Sequence, residues 1–193
     1  MDAIETLMNE HRQIERVLDA LAAFAKSVAE GGGDDRDELA RFVTFLREFA
    51  DDIHHGKEEE ILFAAMGEHG FPTKAGPVAV MLYEHDQGRR LIRILGDRAA
   101  KAEPWTEAER DEIAQTSHAY VSLLRMHIQK EDQILYPMAK TRLPASVMDD
   151  VARRCDEHDD GCKAEIARFR WLAEQLVANH IGQGTKAHHH ASP

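Results

Sequence analysis

Two stretches of this chain carry histidine and glutamate at a four-residue spacing. They are His54 with Glu58, in IHHGKEEEILFAAM from Ile53, and His127 with Glu131, in MHIQKEDQILYPMA from Met126. The stretches align without a gap, so that Lys57 matches Lys130 and Ile61-Leu62-Phe63 matches Ile134-Leu135-Tyr136. A second pair aligns likewise: LMNEHRQIERVLDAL with MLYEHDQGRRLIRIL, matching Glu10-His11 with Glu84-His85. The chain reads as two copies of a helical hairpin, each supplying a His and then H-x-x-x-E. On a helix, His and Glu four residues apart share a face, about 6 Å apart along the axis, and can reach one metal cluster. Four imidazoles and two carboxylates exceed the usual four ligands of zinc. They suit two octahedral first-row ions with the carboxylates bridging, and mixed nitrogen and oxygen ligation points to iron or manganese over calcium or magnesium.

Taken singly, an H-x-x-x-E pair is as easily a side-chain pair on a solvated helix face. The flanks argue for burial: Ile53, Ile61 and Leu62 surround one pair, and Leu124, Ile128, Ile134 and Leu135 the other. Carboxylates buried in such a face cost on the order of several kcal/mol unless something compensates them, and a metal does.

The elements that must position these residues are helices. Ile4, Leu7, Met8, Ile14, Val17, Leu18, Leu21 and Phe24, at three- and four-residue spacing, predict a first helix over about 2–30, ended by Gly31-Gly32-Gly33. Asp34 or Asp35 can cap a second over about 36–66. Pro77 suits the first turn of a third, to about residue 101. Thr106 with Glu109 reads as a capping box opening a fourth, to about residue 140, and a further helix spans about 145–177. The expected fold is all-α: an antiparallel up-down four-helix bundle over 1–142, an additional C-terminal helix packed on it over 143–180, and a flexible tail over 181–193. In such a bundle the early parts of the first and third helices lie level with the late parts of the second and fourth. That puts His11, His54, Glu58, His85, His127 and Glu131 in one layer, on the order of 12–20 Å from one end.

NEHRQIERVL, HHGKEEEILF, YEHDQGRR and HIQKEDQILYP, in that order, give the chain a resemblance to the hemerythrin-like, or HHE cation-binding, family over about residues 1–142. The resemblance implies two iron ions with an oxo or hydroxo bridge. His11 and His54 would serve one iron and His85 and His127 the other, with Glu58 and Glu131 bridging. It also implies family roles in dioxygen binding, oxygen or redox sensing, peroxide or nitric oxide handling, and iron storage. The sequence departs from the invertebrate oxygen carriers, which have a second His four residues from the third-helix His. Here Met81 and Arg89 flank His85. Their last carboxylate follows its His by five residues, whereas Glu131 follows His127 by four. One histidine is thus missing. Other family members take a ligand immediately after the second-helix His, which makes His55 a candidate. Against it, an α-helix turns His55 about 100° away from His54.

Some neighbours have two readings. Tyr120, seven residues before His127, could act as a proton donor to a metal-bound oxygen or simply pack. Asp51, one turn before His54, could orient that imidazole or lie in solvent. The expected function is binding of dioxygen, peroxide or nitric oxide, for sensing, binding or detoxification. The rival is a di-iron enzyme with peroxidase-, catalase- or oxidase-like activity. A metal-free interaction protein is disfavoured by the buried His and Glu positions. Ferritin-type chemistry is disfavoured because neither His54 nor His127 has a Glu three residues before it.

A net charge of -11 excludes nucleic acid as a partner. No apolar run approaches the roughly 20 residues that cross a bilayer, and the charged start is unlike a signal peptide, so the expected location is the cytoplasm. Cys155 and Cys162 lie about two turns apart, too far for an intrahelical disulfide. Asp156-Glu157-His158 echoes the Glu-His motif without an H-x-x-x-E partner and reads as a polar surface patch. His69, His118 and His180 read as surface residues, and His188 to His190 belong to the tail.

Overall fold

A computed structural model describes residues 2–181, and among these there is no strand. Six continuous helices make up the described chain: α1 (Ala3–Ala29), α2 (36–68), α3 (Gly76–Ala99), α4 (107–142), α5 (Ala145–Gly161) and α6 (Lys163–His180). The ends follow local chemistry. The Asp2 carboxylate accepts from Ile4 N–H and caps α1, and Asp35 does the same for α2 through Glu38 N–H. Thr106 and Glu109 form the reciprocal capping box of α4. After α1 the chain turns at Gly31, whose φ of 85° is a conformation that glycine adopts without strain.

Two features depart from the α-helical expectation. The expected C-terminal helix breaks at Cys162 (φ -121°, ψ 27°), directly after Gly161, whose freedom makes a helix interior costly there. Residues 45–55 and 58–63 of α2 and 131–135 of α4 are wound as π-helix, with i→i+5 backbone bonds such as Gly56 N–H to Asp51 C=O and Tyr136 N–H to Glu131 C=O. Pro137 follows the last of these turns. It has no N–H to give and would press on a tight turn ahead of it.

The buried apolar side chains fall into two clusters. One joins Ile14 to Val28 of α1, Leu39 to Ile53 of α2, Ile92 and Leu95 of α3, Ile113 to Ile128 of α4, and Ile166 to Leu176 of α6. The other joins Ala3 to Leu7, Ile61 to Met66, Val78 and Met81, Leu135 to Leu143, and Val151 and Cys155 of α5. The early residues of α1 and α3 therefore pack with the late residues of α2 and α4. Between the clusters, every helix from α1 to α4 contributes buried His or Glu: His11, then His54, His55 and Glu58, then His85, then His127 and Glu131. Of the expected apolar flanks, Ile134 faces outward and is 51% exposed. No described helix is long and apolar enough to cross a membrane.

Candidate metal centre

The structure brings all seven of these polar side chains together. The donor atoms of His55, Glu58, His85 and His127 lie within 4.8 Å of one another, and so do those of His11, His54, Glu58 and Glu131. Each carboxylate stands between one imidazole of each half. Glu58 Oε2 is 3.7 Å from His54 Nε2 and 3.5 Å from His85 Nε2. Glu131 Oε2 is 3.3 Å from His11 Nε2 and 3.2 Å from His127 Nε2.

The outer ring nitrogens are engaged by carboxylates of neighbouring elements. Nδ1 of His11 meets Asp132 at 2.8 Å, that of His54 meets Glu10 at 2.8 Å, that of His85 meets Glu59 at 2.7 Å, and that of His127 meets Glu84 at 2.9 Å. Lys57 donates to Glu10, Lys130 to Glu84, Arg12 to Asp132 and Arg89 to Glu59. A carboxylate on Nδ1 fixes the tautomer that presents Nε2 as a lone pair to a metal. His54 Nε2, Glu58 Oε2 and both Glu131 oxygens are buried with no hydrogen-bond partner among the described residues. Buried polar atoms are ordinarily satisfied, and a cation at the centre would satisfy these four at once. The donor set fits two first-row ions.

His55 joins the centre because α2 is π-wound there. More residues per turn mean a smaller angular step from His54 to His55, so both point inward, at 1% and 5% exposure. The His55 ring stacks on His85 with centroids 3.8 Å apart. Asp51 therefore does not orient His54, which Glu10 holds from α1; it accepts from His55 Nδ1 at 3.1 Å. Arg89, where the oxygen carriers' pattern would allow a further His, instead bridges Asp51 and Glu59. A groove of about 590 Å³ between α2 and α3 has Asp51, the partner of His55, and Arg89 in its wall.

Burial sets the charge states together with these partners. It pushes His54 and His55 well below the ordinary imidazole value, helped by the neighbouring histidines. Burial alone would also lower His11 and His127, but a hydrogen bond to Asp132 and the nearby Glu131 and Glu58 charges hold His11 at about 9. The Glu131 charge and a hydrogen bond to Glu84 hold His127 at about 10. Burial and the neighbouring Glu131 charge raise Glu58.

Tyr120 is buried in the helical interior with its ring beside Gly88. The tyrosine hydroxyl that meets a carboxylate of the centre is that of Tyr136, which donates to Glu58 Oε1 at 2.5 Å and stacks on His11 at 5.5 Å. Sequence reading missed it, since the repeat shows only the alignment and not the contact. Tyr136 matches Phe63 in the repeat, and Phe63 stacks on His85 at 6.1 Å. His69 and His118 are exposed, but His180 is packed on Phe24 and Phe42 and bonded to Glu38. His188 to His190 and the tail beyond residue 181 lie outside the described residues.

Comparison with known proteins agrees with this geometry. Residues 2–139 match the family model of the hemerythrin HHE cation binding domain. The chain belongs to the hemerythrin HHE family, a class of metal-binding helical proteins. An uncharacterized protein of Mycobacterium tuberculosis, Rv1995, is 26% identical over 161 residues, which are 81% of this chain and 61% of that protein. The iron-sulfur cluster repair protein YtfE of Escherichia coli is 33% identical over 104 residues, 52% of this chain and 46% of that protein. The chain thus spans less than two thirds of the length of these relatives. No solved structure matches it.

Proposed function

We propose that α1 to α4 form an antiparallel up-down bundle holding two iron ions, and that the protein binds dioxygen, peroxide or nitric oxide there. His55, His85 and His127 would hold one iron and His11 and His54 the other, with Glu58 and Glu131 bridging. The observation that carries this reading is the set of orphaned, fully buried acceptor atoms ringed by histidines whose outer nitrogens are already engaged. Iron held in this way supplies a redox centre and Lewis acid with open coordination positions, since five imidazoles and two bridging carboxylates do not fill two octahedra. The chain's own residues fix imidazole tautomers, exclude water and hold a proton on Tyr136 Oη beside Glu58. The groove at Asp51 and Arg89 offers a small molecule a way in. The free thiols Cys155 and Cys162 fit a reducing compartment, and we place the protein in the cytoplasm.

Catalytic peroxide decomposition is the second reading, favoured by the Tyr136 hydroxyl, because turnover needs a proton source within hydrogen-bond reach. The name of the Escherichia coli relative points instead to iron handling, a role this centre could also serve. Metal analysis of protein from iron-replete cells should give about two irons per chain, with near-ultraviolet absorption from the oxidised pair. One zinc per chain would overturn the di-iron reading. Anaerobically reduced protein is then mixed with dioxygen or with peroxide. A long-lived adduct supports binding, and repeated turnover supports catalysis.

A further inference from the structure

A separate set of metal-ligating side chains converges at the break between α5 and α6, beyond the residues matched by the family model. His158 Nδ1 lies 3.9 Å from Cys162 Sγ and 3.6 Å from Asp159 Oδ1, and the three donor groups come within 4.8 Å of one another. Tetrahedral zinc, with bonds of about 2.0–2.3 Å, keeps its ligand atoms about 3.3–3.8 Å apart. Small side-chain rotations therefore suffice.

Asp159 is anchored from the inside. Its Oδ1 accepts from Lys57 Nζ at 2.7 Å, and Lys57 is fully buried, with its other contact to Glu10 at 2.5 Å. Glu10 matches the lysine charge on the inner side. On the outer side Asp156 and Asp160 lie at the carbonyl end of α5, where a cation is favoured. His158 and Asp159 side chains are 31% and 25% exposed, so an ion can reach them and keep water in a remaining position. A thiolate in the set selects a zinc-type ion over magnesium or calcium.

We propose that His158, Asp159 and Cys162 form a second metal site, for a single divalent ion of the zinc type, distinct from the buried centre. Binding releases the Cys162 thiol proton, which now donates to the His158 carbonyl at 3.2 Å. The inference does not depend on which metal fills the buried centre. Through Asp159, Lys57 and Glu10 the outer site is joined by one hydrogen-bond chain to His54.

The test uses the full chain loaded with iron. Equilibrium dialysis against zinc should add one ion per chain without loss of iron. Cobalt(II), used as an optical probe, should give visible bands of tetrahedral type and a thiolate-to-metal band. Cys162→Ser and His158→Ala should each weaken zinc binding by about tenfold or more and leave the iron content unchanged. Glu157→Gln, in an exposed pair with Arg153, should bind zinc as the parent does. Absence of zinc beyond the iron centre, or uptake insensitive to Cys162→Ser, would overturn the site. Equal weakening by Glu157→Gln would also overturn it, by showing diffuse binding to an acidic surface.

Discussion

At the scale of single residues, the centre is two nearly matched halves, and two of their differences fall on rings beside the carboxylates. The carboxylates Glu10 and Glu84, and Asp132 and Glu59, are partners in the internal repeat, as are the lysines behind the first pair. Where one half has Phe63 against His85, the other has Tyr136 against His11. Where one half has His55, the repeat has Ile128. One half is therefore richer in nitrogen ligands and the other holds a hydroxyl. On the proposed di-iron centre, Tyr136→Phe should leave the iron content unchanged, since Tyr136 is not in the ligand set, and on the catalytic reading it should slow peroxide consumption by about a hundredfold. Stopped-flow peroxide assays on protein of verified iron content check this, with Tyr120→Phe alongside. Unchanged turnover in Tyr136→Phe would remove the hydroxyl from the chemistry.

At the scale of elements, winding and docking decide what faces the centre. The widened turns of α2 and α4 lie at His54–Glu58 and at Glu131, a position where π-turns recur in functional helices. The C-terminal helix α6 is fastened at its end to the start of α2. Asn179 and His180 donate to Glu38 Oε1 at 3.0 and 2.9 Å, and Arg41 donates to Oε2. Burial alone would raise the Glu38 carboxyl, but these hydrogen bonds and the Arg41 charge hold it below its ordinary 4.5. A carboxyl lowered on folding stabilises fully above its unfolded value, and that contribution is lost as pH falls through the folded value. Glu38→Gln should therefore cost about 1–3 kcal/mol near neutral pH. Melting curves of both proteins should converge as the pH drops below the ordinary carboxylate range. A constant gap at every pH would show that the charge on Glu38 does not hold α6.

At the scale of the whole molecule, a polar layer is clamped between two apolar clusters, and its charge is balanced by protons when no metal is bound. With His11 near 9 and His127 near 10, the metal-free layer carries a proton on each of these two imidazoles at neutral pH. Metal ligation requires these groups to be deprotonated. Loading should release about two protons per chain near pH 7, and affinity should weaken as pH falls. Chelator competition across pH, with proton release followed in weak buffer, checks both. Iron removal should also lower stability, by roughly 3 kcal/mol relative to protein held at a hundredfold excess over the dissociation constant. Loading without proton release would mean that the metal-free centre is already neutral.

Much of this was legible in the order of residues. Periodic apolar positions and caps such as Thr106 with Glu109 placed the helices, because both act within a turn or two of the chain. The gapless repeat placed His11, His54, Glu58, His85, His127 and Glu131 at one level, because rise per residue is nearly constant along a helix. The tertiary structure decided what depends on helix rotation and on neighbours distant in sequence. It turned His55 inward through a widened turn that α-helical spacing does not anticipate. It gave Asp51 to His55 and Glu10 to His54, and set Tyr136 against Glu58 while Tyr120 packs beside Gly88. It broke the last segment at Cys162, so that α5 lays Asp159 over Lys57 and makes a surface-type lysine a buried one. Contacts of this kind form only when separate helices meet at a particular height and angle, and no local pattern encodes that meeting.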